Sequence, residues 1–436
     1  MFDAAVLGVD PGRALIRALE TTPTPAQVRV FATGKAALAM AAAAVRHLDR
    51  LAVPLAGGLV VTPDEGLPPD PRLRRIAGDH PLPALRSAAA AAAVTAEIGR
   101  VEPRDEVWVL LSGGTTSLIG APVAGISAAE YQVLVNALGH AGLPIGELNR
   151  VRKRFSQWGA GRLGQALQGT PVRVFALSDV PGDDPADIGS GPAAPDSSTA
   201  EEIRRLLTSV SGAVAIPPSV FRLLDRVDRG EVAETPKPND PLFAGVVTRV
   251  IGSNAVARSH AAERARALGY VAVESDRLLT GEAADVGRAF GRLVAEATAG
   301  PRAWIWGGET TVALGVHPGL GGRCQELALA AAEVLAAAPE TRRIAFLAAG
   351  TDGRDGPTDA AGAVVDRHSW AAIAGQGIDP AQALVHHDAH SALTAIGALL
   401  RPGLTGTNVM DLVIAVTAGA DRSESETPLR EPIVGP

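Results

Sequence analysis

The sequence predicts an α/β fold built from parallel βαβ units, and three observations predict it. Short apolar, β-branched runs recur without clean alternation, as strands buried on both faces should read. Longer Ala/Leu/Arg-rich stretches of helical length separate them. The 436 residues, 47% of them apolar, supply core for about two to three domains.

In chain order, residues 28–32 (VRVFA) are the first expected strand, and the alanine-rich residues 36–51 are the helix that follows. Residues 58–62 (GLVVT) and 107–111 (VWVLL) are strands, with helices at 83–99 and 128–141. Residues 172–177 (VRVFAL) and 246–251 (VVTRVI) come next, the second followed by a helix at 255–268. The short run 271–273 precedes a helix at 282–299, AWIW at 303–306 precedes one at 325–337, and IAFLA at 344–348 closes the series. Such alternation places helices on both faces of the sheet. Residues 231–241 (EVAETPKPNDP), rich in proline and mixed in charge, read as a crossing that divides the chain into domains 1–236 and 237–436. Residues 62–71 read as a surface loop and 422–436 as a loose tail.

Composition excludes several functions. A net charge of -7 argues against nucleic-acid binding as the main role, and the single cysteine, Cys324, excludes a disulfide framework. No apolar run reaches the ~18 residues of a membrane span. The start, MFDAAVLGVD, lacks the basic-then-apolar pattern of a signal peptide. A cytoplasmic protein with no membrane or nucleic-acid partner is expected. Only three of the 40 basic residues are lysines, Lys35, Lys153 and Lys237. A compact ammonium kept where arginine has taken nearly every other place asks for a chemical reason.

Ligands of open α/β sheets collect at the carboxyl ends of strands. Here those ends run into Thr33-Gly34-Lys35, Ser112-Gly113-Gly114-Thr115-Thr116-Ser117 and Ser178-Asp179-Val180-Pro181-Gly182-Asp183-Asp184. Two more run into Gly307-Gly308-Glu309-Thr310-Thr311 and Gly350-Thr351-Asp352-Gly353-Arg354-Asp355. Glycine loops turn backbone N–H groups toward phosphate or carboxylate oxygens. The two aspartate loops offer hard oxygen ligands for magnesium. Lys35, and Arg323 in Gly321-Gly322-Arg323, can neutralise charge that develops on a transferring phosphoryl group.

Other motifs carry less. Gly34-Lys35 is followed by Ala36, so there is no Walker A loop. The G-x-G-x-x-G at Gly159-Ala160-Gly161-Arg162-Leu163-Gly164 follows a basic stretch rather than a core strand, which argues against a dinucleotide site. His386, His387 and His390 lack zinc-site company and read as solvated or capping groups. Ser112 is not in a G-x-S-x-G elbow, and Cys324 reads as a space-filler at a loop-to-helix junction. Residues 150–154 read as a solvated helix face, with capture of a substrate carboxylate as the competing role.

These loops resemble the class II glycerate 2-kinases, whose C-terminal half is called the MOFRL domain. The resemblance rests on His80-Pro81-Leu82-Pro83, Leu111-Ser112-Gly113-Gly114, Glu147-Leu148-Asn149-Arg150-Val151-Arg152-Lys153 and Ser178-Asp179-Val180-Pro181-Gly182-Asp183-Asp184. It continues through Gly307-Gly308-Glu309-Thr310-Thr311, Gly321-Gly322-Arg323-Cys324-Gln325-Glu326, Gly350-Thr351-Asp352-Gly353-Arg354-Asp355-Gly356 and Thr405-Gly406-Thr407-Asn408-Val409-Met410-Asp411, in family order. It implies a Rossmann-like N-terminal domain, a smaller α/β C-terminal domain and an active site in the cleft between them. It implies phosphorylation of the 2-hydroxyl of D-glycerate by ATP with Mg2+, leaving a homodimer open. Carried over, Lys35, Arg323 and Asp179 are catalytic, and Ser112, Gly113, Gly114, Arg152 and Lys153 bind substrate. Gly307, Gly308, Glu309, Thr310, Gly321, Gly322 and Asn408 bind nucleotide, and Asp183, Asp352 and Asp355 hold the metal.

The chain departs from the family pattern at four places. Thr115-Thr116-Ser117 replaces a smaller Gly-Ser-Ala, Gly159 stands for a lysine, Cys324 for an asparagine and Leu404 for a proline. These departures leave as alternatives a kinase of a related short hydroxy acid and a catalytically silent nucleotide- or acid-binding relative. The misplaced G-x-G-x-x-G adds a nicotinamide-dependent hydroxypyruvate reductase, a name sometimes attached to relatives of the family.

Overall fold

The computed structural model describes residues 1–418 except 142, 298, 299, 316, 341 and 342, so the expected tail at 422–436 lies outside the described residues. The first sheet holds β1 (Val28–Thr33), β2 (Leu55–Thr62), β3 (Leu73–Ala77), β4 (Glu106–Leu111), β5 (Val172–Leu177) and β6 (Val246–Gly252). Their order is β3-β2-β1-β4-β5-β6, and every pair is parallel. This is the doubly wound, Rossmann-like arrangement, and its strand order reverses between β1 and β4. The loops after those two strands are thereby brought side by side.

Both faces of the sheet are buried, which is why its strands read as unbroken apolar runs. Val28, Val30 and Ala32 pack with the helices Pro11–Glu20 and Ala37–Arg50. Phe31, Val109 and Leu111 pack on the other side with the helix Leu85–Ile98. Trp108 is fully buried, with its ring edge-on to Phe175 at 5.9 Å. Four further helices, Ala128–His140, Ile145–Phe155, Ala200–Val210 and Pro218–Asp228, close around an apolar cluster of their own. Ser127 and Glu130 start the first of these with a capping box.

The second sheet holds β7 (Val271–Glu274), β8 (Arg302–Gly308), β9 (Ile344–Gly350), β10 (Gly362–Asp366), β11 (Leu399–Leu400) and β12 (Asp411–Thr417). Its order is β11-β10-β9-β12-β8-β7. Only β7 and β8 are parallel; the other pairs are antiparallel, which corrects the expectation of parallel units throughout. The last strand, β12, inserts between β8 and β9 and sets Asp411 opposite both Gly308 and Gly350. Trp304, Trp306 and Phe346 pack with the helices Ala283–Glu296 and Arg323–Leu335 on one face. Ile305, Leu412 and Ile414 pack on the other with the helix Asn254–Ala267 and with Phe2 and Ala5 from the first helix.

The expected division at 236/237 does not coincide with the sheets. β6 lies beyond it and pairs with β5, while Phe2 and Ala5 pack on the second sheet's layer. The chain leaves the first sheet at Gly252, where Ser253 leads into the helix Asn254–Ala267.

Candidate active site between the two sheets

A cleft of about 1060 Å³ opens between the carboxyl ends of β4 and β5 on one wall and of β8 on the other. Gly114, Thr116, Asn149, Asp179 and Asp187 line the first wall. Glu309, Thr310, Gly321, Gly322, Arg323, Glu326 and His387 line the second.

The first wall is stitched at the point where the strand order reverses. Lys35 N–H donates to the Gly113 carbonyl at 2.9 Å, and Ala36 N–H donates to Ser112 Oγ at 3.0 Å. Two glycines let side chains converge here. A Cβ on Gly113 would lie 2.1 Å from Asp179 Oδ2. Gly114, at φ +90°, leaves space that the His80 ring and the Lys35 stem occupy, 3.1 and 3.6 Å from where its Cβ would be. Lys35 is exposed and makes no ion pair among the described residues. Burial raises the pKa of Asp179, against the pull of the Lys35 charge. Burial and then Lys35 lower that of His80.

The helix Ile145–Phe155 adds Gly146 and Asn149 to this wall. One turn beyond Asn149 is Arg152, which does not itself line the cleft and lies near Tyr131 of the helical cluster. Its Nε is buried with no hydrogen-bond partner, and burial lowers its pKa with only Tyr131 opposing.

The second wall is organised around Arg323. Its Nε and second terminal nitrogen donate to the two oxygens of buried Asp411 at 2.6 and 3.0 Å, and its remaining nitrogen donates to Glu309 at 2.5 Å. Burial works against the Arg323 charge, but the hydrogen bonds and charge of Asp411, with Glu309, raise its pKa. Lost hydration raises that of Glu309; Asp411 and Asp179 add to this, while Arg323 opposes it. The charge of Asp179 therefore reaches Glu309 across the cleft.

The helix Arg323–Leu335 is held at its start by Asp355, which accepts Cys324 N–H at 3.1 Å and Gln325 N–H at 2.8 Å. Burial pushes the Asp355 carboxyl up to about 6, against those hydrogen bonds. One turn into the helix, Glu326 meets His387 Nδ1 at 2.9 Å.

Of the residues expected from sequence, Gly114, Asp179, Glu309, Thr310, Gly321, Gly322 and Arg323 line the cleft, and Lys35 packs against its rim at Gly114. Others are placed differently. Ser112 is buried as the brace on Ala36, and Gly113 receives Lys35 N–H. Gly307 packs on Asn254, and Gly308 is committed to β8. The Asn408 side chain accepts Met410 N–H instead of lining the cleft.

The basic stretch is no solvated face. Lys153 and Arg154 are buried and paired with Asp187, Asp196 and Glu234. The proposed metal set is not assembled: Asp355 is used as a helix cap, Asp352 accepts Arg354 N–H, and Asp183 lies in a turn outside the cleft. Among the described residues no three His, Cys, Asp or Glu side chains form a metal cage. Cys324 is a free, buried thiol beside Asp411 at the start of the helix, and burial pushes its pKa up.

Three groups escaped sequence reasoning, Asp411, Asp187 and Glu326, and His387, expected to be solvated or capping, instead lines the cleft paired with Glu326. Asp411 and Glu326 stood inside quoted motifs, so their positions were visible although their roles were not. His387 sits in the left-handed region at φ +53°, which no periodicity signals.

Comparison with known proteins agrees with this geometry. Residues 1–225 match a family model described as a domain of unknown function, DUF4147, and residues 302–411 match the MOFRL family. The chain is 35% identical to a glycerate 2-kinase of Pyrococcus horikoshii, over 94% of each chain. It is 36% identical to a D-glycerate 2-kinase of Thermotoga maritima, over 94% of this chain and 95% of the other. The crystal structure of a glycerate kinase from Thermotoga maritima superposes with a TM-score of 0.83 at 35% identity, covering 95% of this chain and 97% of that one.

Proposed function

The chain belongs to the glycerate 2-kinase family with a C-terminal MOFRL domain, and from that premise we propose that it transfers the γ-phosphoryl group of ATP to the 2-hydroxyl of D-glycerate. The observation that carries the reading is the pairing of charges in one cleft. Arg323, held by Asp411 and Glu309, stands on one wall, and Lys35 with Asp179 stands at the other. Phosphoryl transfer asks little covalent work of the protein; it asks for positioning and for cations where charge spreads over the γ-oxygens.

Arg152 supports the substrate class. Arg152 stands behind the lining next to Asn149, and a largely buried guanidinium with no acidic partner among the described residues is costly until an anion arrives; a carboxylate matches its planar fork. Asp179, with its pKa raised, is a better base near neutral pH than an ordinary carboxylate. It takes the 2-hydroxyl proton as that oxygen bonds to the γ-phosphorus and the bond to ADP breaks. Lys35 and Arg323 balance the charge that moves onto the phosphate oxygens.

Magnesium fits as an ion carried by the nucleotide, since such ions need only one or two protein carboxylates beside phosphates and water. Glu309 would hold it through the oxygen that Arg323 leaves free. Bound there, the ion would draw negative charge off the bridging phosphate oxygens. Among the described residues no helix is long and apolar enough to cross a membrane; a cytoplasmic setting is part of this proposal. The G-x-G-x-x-G follows the helix Ile145–Phe155 and not a strand, so the motif lends no support to a dinucleotide site or to the reductase reading.

The test is ADP release from ATP and Mg2+ across a panel of short hydroxy acids, with the product's phosphate position read by phosphorus NMR. 2-Phosphoglycerate from D-glycerate supports the reading. Turnover of another acid alone moves the substrate, and silence across the panel overturns the kinase assignment.

A further inference from the structure

The cleft walls differ in polarity as well as charge. Most of the apolar side chains that line the cleft, Val312, Leu314, Pro318 and Pro357, come from the second wall. A nucleoside's flat faces belong there, and the polar first wall is left to the hydroxy acid. Glu326 follows Arg323 by one turn of the same helix, so the two Cβ atoms lie about 5–6 Å apart on one face. With Arg323 at the phosphates, Glu326 falls one step toward the nucleoside.

Its chemistry narrows what it meets. Glu326 is 5% exposed, and its hydrogen-bond partner among the described residues is His387. Burial raises its pKa, His387 opposes this, and the nearby charges of Glu282 and Arg288 act in opposite senses. A carboxylate only accepts hydrogen bonds; His387 takes one Glu326 oxygen, and the residue lines the cleft, where the other can receive a donor from the ligand. Phosphate brings none at neutral pH, whereas the two ribose hydroxyls bring two.

His387 is fixed for a purpose of this kind. It holds φ +53°, a conformation that non-glycine residues seldom keep without support. The turn that carries it is fastened to the glycine loop before Arg323: Gly319 N–H donates to the His386 carbonyl at 2.7 Å, and His390 N–H to the Leu320 carbonyl at 3.0 Å. Leu320 N–H donates to the Asp388 carboxylate at 3.1 Å.

We propose that Glu326, oriented by His387, receives the ribose hydroxyls of the bound nucleotide and makes the enzyme select ribonucleotides over 2′-deoxyribonucleotides. The proposal rests on the kinase reading above. It is tested by calorimetric binding of ADP and 2′-deoxy-ADP to the full chain, beside turnover with ATP and 2′-deoxy-ATP. The wild type is expected to bind 2′-deoxy-ADP about 10- to 100-fold more weakly, the loss of one hydrogen bond to a charged group.

Glu326→Met, similar in volume and without an acceptor, is expected to bring the two nucleotides to within about threefold of each other. His387→Asn keeps a donor for Glu326 and is expected to retain most of the discrimination. Equal binding of both nucleotides by the wild type overturns the proposal, whether or not the variants fold. Discrimination that survives in a folded Glu326→Met protein does the same, as does a change in adenine-over-guanine preference in place of the ribose effect. Failure of the kinase reading looks different: the wild type then binds no nucleotide and turns over no hydroxy acid.

Discussion

The two walls of the cleft treat charge in opposite ways. On the second-sheet wall the ionisable groups are partnered: Arg323 with Asp411 and Glu309, Glu326 with His387, Asp355 with the start of a helix. On the first-sheet wall Asp187 is paired with Lys153, but among the described residues Lys35 has no ion pair and the Arg152 Nε behind the lining has no hydrogen-bond partner, while Asp179 is held above the usual carboxylate range by burial. Partnered charges keep their geometry before any ligand arrives. An unpartnered charge in a shielded place, as at Arg152, costs free energy until a ligand completes it, whereas exposed Lys35 stays hydrated until one arrives. The second wall is thus a preorganised platform, and the first is finished by its substrates.

That contrast breaks most sharply at Lys35. Lys35→Ala removes an unpaired cation from the first wall and is expected to lower turnover on the order of 10³-fold. Because the side chain is exposed and holds nothing else in place, the thermal midpoint should move little, within about 0.5 kcal/mol of stability. Steady-state rates beside a melting curve decide it; near wild-type turnover removes Lys35 from the chemistry.

Asp411→Asn probes the opposite wall, where chemistry and stability are joined. It puts an amide where Arg323 had two carboxylate oxygens, and is expected to destabilise the fold by about 2–3 kcal/mol. Turnover should fall by about 10- to 100-fold as the guanidinium loses its fixed position. Denaturant unfolding and kinetics on one preparation check both effects. A variant that loses activity with no loss of stability would show that Asp411 acts on the ligand and not through Arg323.

The same contrast marks what could be read in the sequence. β1, β4 and β5 were legible to within a residue or so because burial on both faces makes a strand one apolar word. β3 (LRRIA) was not, since its arginines break the run. β12 (DLVIAVT) carries the same unbroken apolar run and was missing from the expected strands although that signal was present; what no local pattern shows is its insertion between β8 and β9, about 60 to 110 residues earlier.

The glycine and aspartate loops were legible as places, less so as roles. Nothing in Asp352-Gly353-Arg354-Asp355 says that the second aspartate turns back to cap a helix that begins at Arg323. Likewise Lys153 and Arg154 read as solvated until the fold brought Asp187, Asp196 and Glu234 to them. The motifs located the cleft; long-range partners decided which members face it.

Arg152 gives a smaller effect that sharpens the idea of an unfinished wall. Arg152→Gln is expected to raise the KM for the hydroxy acid about 10- to 30-fold, the loss of a charge-assisted contact to its carboxylate. The KM for ATP should move less than about threefold. Stability should hold or rise, because an uncompensated buried charge is removed. Substrate titrations at saturating ATP, paired with unfolding curves, test this. A drop in stability with unchanged KM would mean that the protein itself completes Arg152.

Asp355 is expected to give the least effect on turnover and the clearest one on pH. Its carboxyl is raised to about 6 in the folded chain by burial, against an ordinary value near 3.8. Below the ordinary value both folded and unfolded states hold the proton. Between that value and about 6 the folded state keeps a proton that the unfolded state has released, so stability from this group falls as pH rises through the window, then levels off. Asp355→Asn keeps an acceptor for the start of the helix and has no proton to lose, so the decline should flatten while turnover at pH 7 stays within about threefold. Unfolding free energies of wild type and variant between about pH 4 and 7 give the difference directly. If Asp355→Asn instead abolished turnover in a folded protein, the carboxylate would belong with the metal and phosphates, and the second wall would owe its order to a ligand after all.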